Sequence, residues 1–135
     1  MSRADKAVGY KHSGCNCAQA VLLVFEDILD NDRDMLLRLG AAFGCGMGAF
    51  DASCGALCAA QMILGMTQYQ GRPLLADAKM IHRDFKEKCG STDCGELKGL
   101  KGGKMLCACD DCIINAVEIM EQYMGLKATP HDHRF

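Results

Sequence analysis

Along almost the whole chain the apolar positions recur at helical spacing. Cys17, Val21, Val24, Phe25, Ile28 and Leu29 form one stripe at i, i+3, i+4 intervals, and Gln19, Glu26, Asp27 and Asp30 fall off it. Asn31 and Asp32 restart a helix carrying Leu36, Leu39 and Phe43, and the run Gly44-Cys45-Gly46-Met47-Gly48 breaks it. A third helix is predicted from Cys54 to Gln68. It is apolar nearly all round and is expected to be the central, buried helix. Gly71 and Pro73 end it and open a fourth, because proline is tolerated in a first helical turn. The fourth helix sets Leu74, Ala78, Ile81 and Phe85 on one side, turns Asp77, Asp84 and Glu87 outward, and finds a C-cap in Gly90. A short helical turn from Cys94 and a loop through Gly99, Gly102 and Gly103 precede a last helix, from about Cys109 to Met124, striped by Ile113, Val117 and Met120.

No segment alternates with the period of a strand, and no linker or repeat divides the chain. The pattern therefore predicts an all-α protein: a single compact bundle of about five to six helices over residues 1–128, with residues 129–135 as a flexible tail.

Composition narrows the chemistry. The chain has 135 residues, enough for a core of its own, so it does not need disulfides to hold a fold. A net charge of −2 argues against nucleic acid or an anionic membrane as partner. The most apolar stretch, CGALCAAQMILGM, falls short of the roughly 20 residues that a bilayer span needs, so no membrane insertion is expected. The opening MSRADKAVGY lacks the apolar run of a secretory signal, and a cytoplasmic location is expected. In such a compartment ten cysteines read as metal ligands or reactive groups rather than as structural disulfides.

Four of the ten share a local setting. Asn16 precedes Cys17, Ser53 precedes Cys54 and Asp93 precedes Cys94, and Asn, Ser and Asp are all preferred N-cap residues. Asp93 with Glu96 resembles a capping box, and Cys109 stands before Asp110 and Asp111 at the expected start of the last helix. First-turn N–H groups lack partners inside the helix and the dipole there is positive, so each of these positions favours thiolate over thiol. Thiolate is the form that ligates metal and attacks disulfides. Convergence of the four helix starts would make a pocket for an anionic, sulfur-ligated centre.

The segments NCAQAV, GCGMG followed by CGALCA, STDCGELKG and CDDCIINAVEIM resemble the C_GCAxxG_C_C family of redox-active proteins, from about Ser13 to Met124. The resemblance carries Cys17, Cys54, Cys94 and Cys109 onto the four family cysteines, the same four that capping selects. The last glycine of the family motif is Ala59 here, preceded by Cys58. A similar four-cysteine pattern accompanies a non-haem iron centre in split-Soret cytochromes, so the resemblance implies iron–sulfur chemistry. No CxxCH motif suggests covalent haem.

Cys15, Cys45, Cys58, Cys89, Cys107 and Cys112 remain as secondary candidates, either as further ligands, as resolving thiols or as core filler. The densest run, Cys107-x-Cys109-x-x-Cys112, matches no standard zinc-finger or ferredoxin spacing. Gly44, Gly46 and Gly48 are read as letting backbone approach the centre and donate N–H bonds to sulfur. His12 is near Cys15, His82 reads as a surface residue, and His131-x-His133 reads as solvated tail rather than a metal site. Lys98, Lys101 and Lys104 read as a solvated basic loop rather than a docking patch.

The leading expectation is a four-thiolate iron–sulfur site, Cys17, Cys54, Cys94 and Cys109, that moves single electrons to a redox partner protein. The alternatives are a dithiol–disulfide oxidoreductase or thiol redox sensor, and a structural zinc site on the same four cysteines. The apolar centre is also compatible with a homodimer.

Overall fold

The computed structural model describes residues 1–126. It contains seven α-helices: α1 (Arg3–His12), α2 (Cys17–Val24), α3 (Arg33–Gly40), α4 (Gly55–Gln68), α5 (Leu75–Cys89), α6 (Cys94–Leu97) and α7 (Cys109–Tyr123), with a wide turn at Gly46–Phe50. The all-α expectation holds, and the expected five to six helices fall short by α1. That helix has no long apolar stripe. Its fully buried residues are Ala4 and Ala7, and its start is fixed by Ser2, whose side chain accepts from the Asp5 N–H at 3.0 Å.

Innermost is α2 rather than the expected α4. Seven of its eight residues are buried, and it packs against α1, α3, α4 and α7. The helix ends at Phe25, so Glu26 and Asp27, read as its polar face, fall outside it. The longer α4 keeps a half-exposed edge at Gln61, Met62 and Met66. Phe25, Ile63, Phe85, Ile113, Val117 and Met120 interlock these helices, and each such side chain contributes about 1.5–3 kcal/mol by leaving water. On the far side of the core Arg3 ties α1 down. It lies over the Phe25 ring at 4.8 Å, donates to the Val24 carbonyl at 2.6 Å, and pairs with Asp27 at 2.6 Å and Glu121 at 3.5 Å.

Two irregular features place the cysteines. Ser53 and Asp93 form an isolated antiparallel bridge. Around it the Cys54 N–H donates to the Thr92 carbonyl and the Cys94 N–H to the Ala52 carbonyl, both at 2.8 Å. The bridge sets Cys54 and Cys94 side by side although they are far apart in sequence. The second feature is the loop before it, where Cys45, Met47 and Phe50 join Gly46 and Gly48 at positive φ. Left-handed conformation costs a residue with Cβ about 1–2 kcal/mol, so this loop is strained and its packing holds it.

Candidate functional site

Cys17 is the first residue of α2. Asn16 caps the helix by accepting from the Gln19 N–H at 2.8 Å, and the Gln19 side chain accepts from the Asn16 N–H at 2.9 Å, a complete capping box. Cys94 begins α6 behind Asp93, which accepts from the Glu96 N–H at 3.1 Å. The expected return contact is relayed: Asp93 N–H donates to Ser91 Oγ at 3.1 Å, and that hydroxyl donates to Glu96 at 2.6 Å. Cys109 begins α7, with Ala108 as its N-cap. Cys54 departs from expectation. It is itself the N-cap of α4, which begins at Gly55, so Ser53 stands one residue before the cap.

Lys98 connects these four positions. It stands four residues after Cys94, on the same helical face, and is half-buried. Burial opposes its charge, but the Cys109 sulfur, with Cys94 and Cys17, offsets this and holds the ammonium protonated. Sequence reasoning had placed Lys98 in a solvated loop; the i, i+4 spacing from Cys94 was the available signal. Of its neighbours in that loop, Lys101 pairs with Asp93 at 2.8 Å and Lys104 is exposed.

The thiols divide in their preference. Cys109 is drawn down to about 5, first by the S–H bond from Cys17 and then, against burial, by Lys98. Cys17 is raised, by that same bond and by burial. Cys54 is lowered to about 7 by an S–H bond from Cys112; burial opposes this, and the N–H groups of Ala56 and Leu57 add to it without closing a regular capping bond. Cys94 is raised by burial, which Lys98 opposes. Helix position alone was expected to favour thiolate at all four. Two of the four go the other way: Cys17 keeps the proton as donor to Cys109, and burial outweighs Lys98 at Cys94.

The glycine loop does approach the centre. A Cβ on Gly46 would lie 2.5 Å from Cys94 Cβ and 2.9 Å from the Ala52 carbonyl, and Gly46 has φ of 60°. A Cβ on Gly55 would lie 2.3 Å from the Phe43 carbonyl, so the start of α4 is pressed against this loop.

The secondary candidates scatter. Cys45 is exposed and Cys15 is partly buried beside the core. Cys58, half-buried one turn after Cys54, is raised by burial and by Cys54, and its thiol points to the Ser53 carbonyl at 3.9 Å. Cys89, Cys107 and Cys112 are buried, and their sulfurs all lie within 4.8 Å of one another. The run Cys107-x-Cys109-x-x-Cys112 is thus divided. Cys107 and Cys112 join Cys89, while Cys109, about one turn earlier than Cys112, meets Cys17 and Lys98. The two groups touch where Cys112 meets Cys54. His12 bonds Asp110 at 2.8 Å, His82 is exposed, and His131 and His133 lie outside the described residues, as does the tail 129–135.

Seven thiols in two neighbouring groups, one of them around a buried-side cation, define a cysteine-centred protein on an all-helical scaffold. The family model described as "Putative redox-active protein (C_GCAxxG_C_C)" matches residues 15–123, and the chain belongs to that family. Comparison with curated proteins and with solved structures finds no significant match. Among the described residues no helix is long and apolar enough to cross a membrane.

Proposed function

We propose that Cys17, Cys54, Cys94 and Cys109 hold an iron–sulfur cluster and that the protein carries single electrons to a partner protein. The observation that carries this reading is Lys98, set beside Cys109, Cys94 and Cys17. A thiolate-ligated cluster is anionic, and a fixed cation with N–H groups at helix starts stabilises that charge. When bound, the cluster would supply reversible one-electron storage. The chain's own residues do the rest. Cys54 and Cys109 enter as the readily ionised thiols, Cys17 and Cys94 lose their protons on ligation, and the bridge at Ser53–Asp93 fixes the Cys54–Cys94 pair. The separation along the chain favours a polynuclear centre over zinc, whose four cysteine ligands usually come as two close pairs. The cover over Cys94 is one loop, with Met47 and Phe50 exposed on it, so the centre lies near the surface as transfer to a partner requires.

One observation favours a second reading. The Cys17 thiol bonded to a Cys109 thiolate is the arrangement of an attacking and a resolving cysteine in dithiol–disulfide exchange. A single anaerobic preparation separates the readings. The cluster reading expects a coloured protein with iron and acid-labile sulfide in equal amounts, lost together in Cys109→Ser. A colourless, sulfide-free protein that reversibly loses two hydrogens between Cys17 and Cys109 overturns it for the exchange reading. Zinc without iron would leave neither.

A further inference from the structure

Cys89, Cys107 and Cys112 are not among the four family cysteines, and they come from three unlike places in the fold. Cys89 closes α5 just before the left-handed Gly90. Cys107 lies in the segment pinned to α6, where the Leu106 and Cys107 N–H groups both donate to the Leu97 carbonyl, at 2.8 and 3.1 Å. Cys112 stands one turn into α7, its N–H on the Ala108 carbonyl at 2.9 Å. The three residues are 3, 9 and 0 % exposed.

Three buried cysteines can be plain core filler. Filler does not account for Asn115. Its side-chain amide donates to Cys89 Sγ at 3.3 Å and reaches Cys107 Sγ at 4.0 Å. Neutral thiols are poor acceptors, so a partly buried amide spent on two of them gains little. The same amide facing thiolates makes charge-assisted bonds. It sits where a residue holding ligand sulfurs in place belongs.

We propose that Cys89, Cys107 and Cys112 form a second metal site, independent of the proposed cluster, for a soft monovalent cation of the Cu(I) kind. Thiolates select soft ions, and the group includes no carboxylate or imidazole that would suit a hard one. Zinc takes four ligands, and burial keeps water from supplying the fourth. Cys54, which meets Cys112 from the other group, is a ligand of the proposed cluster. A three-sulfur set is complete only for an ion content with low coordination. Each thiol that binds releases its proton to solvent, and no electron is transferred.

The test uses the full chain, reduced and metal-free under anaerobic conditions, titrated with Cu(I) buffered by a chromogenic chelator. Alkylation of these buried thiols in the native protein proceeds through local opening, and the first equivalent should slow it at Cys89, Cys107 and Cys112, as mapped by peptide mass, and leave its rate at Cys17 and Cys109 unchanged. Cys89→Ser/Cys107→Ser should lose that equivalent, and Cys17→Ser/Cys109→Ser should keep it. Asn115→Leu, which retains every thiol, should weaken binding about 10- to 100-fold. Protection of Cys17 and Cys109 by the first equivalent would overturn the proposal. So would failure to compete with the chelator, or zinc binding with Cys54 protected as a fourth ligand. None of these readouts depends on iron, so loss of the cluster reading leaves this one standing, and the reverse.

Discussion

The two sulfur groups are neighbours built on opposite plans. Cys17, Cys94 and Cys109 each open a helix and Cys54 caps one, and the charge they share is answered by the ammonium of Lys98. Cys89, Cys107 and Cys112 come from a helix end, a loop and a helix's second turn, and they are answered by the neutral amide of Asn115. The chemistry of the thiols follows this difference. In both groups a thiol-to-thiol bond is the largest influence on the most acidic thiol, but in the first a cation adds to it at Cys109 and opposes burial at Cys94, whereas in the second the addition comes from a neutral amide. There Cys89 falls to about 6, chiefly through the bond from Cys112 and then, against burial, through Asn115, while burial lifts Cys107 to about 11. Cys112 is raised furthest in direction, by Cys54, then Cys89, then burial. Its thiol also points to the Cys107 carbonyl at 3.7 Å.

The contrast can be broken most strongly from the core. Phe85 lies in α5 one turn before Cys89 and is fully buried, so Phe85→Ala should cost about 3–5 kcal/mol in urea unfolding. It should loosen the three-thiol group first, read as faster alkylation of Cys89 than of Cys17. Gly46→Ala acts on the other group alone. It places a Cβ in left-handed backbone against Cys94, and a loss of about 1–2 kcal/mol from the backbone alone is expected, with faster loss of iron to a chelator. Lys98→Met keeps the side-chain bulk and removes the charge. Reduction adds negative charge that Lys98 offsets, so the variant should have a lower reduction potential by voltammetry, while Cu(I) binding at Cys89, Cys107 and Cys112 is unchanged.

The smallest effect is expected far from both groups. Asp27 is held below the usual carboxylate range chiefly by its bond to Arg3. A depressed folded value means stabilisation that is present above the unfolded value, about 3.9, and is lost as pH falls through the folded one. Asp27 is largely exposed, so solvent screens the pair, and Asp27→Asn should cost under about 1 kcal/mol at neutral pH. Urea midpoints of wild type and variant should begin to converge as the pH falls below about 3.9 and meet only below the lowered folded value, with alkylation of both thiol groups unaffected.

Local chemistry was legible in the sequence and contacts across the fold were not. Asn16 as the N-cap before Cys17, and Gly90 as a C-cap, are signals within one turn, and both form as read. α1 escaped because Ala4 and Ala7 are too small to show as a stripe, although Ser2 and Asp5 carried a capping signal. Ser53 reads as a cap, but α4 starts at Gly55, so Cys54 takes the cap while the Ser53 backbone pairs with Asp93, remote in sequence. The spacing that made Cys107, Cys109 and Cys112 look like one cluster is the spacing along the chain. In the fold, a helix start between them sends Cys109 to Lys98 and Cys112 inward. The placement of Cys17, Cys54, Cys94 and Cys109 at helix beginnings could be read locally, but the cation near them could not.

The Ser53–Asp93 bridge also has a consequence in time. It closes a loop of about forty residues, which carries an entropic cost before any contact across it returns a gain. During synthesis Cys17 and Cys54 emerge well ahead of Cys94, and Cys109 follows last. A nascent chain therefore exposes unpaired thiols while the loop is open, and the closing of the bridge sets the earliest moment at which all four can be loaded together. On the proposed cluster reading, loading would therefore come after α7 has emerged, and the interval before it is when the thiols are most open to oxidation.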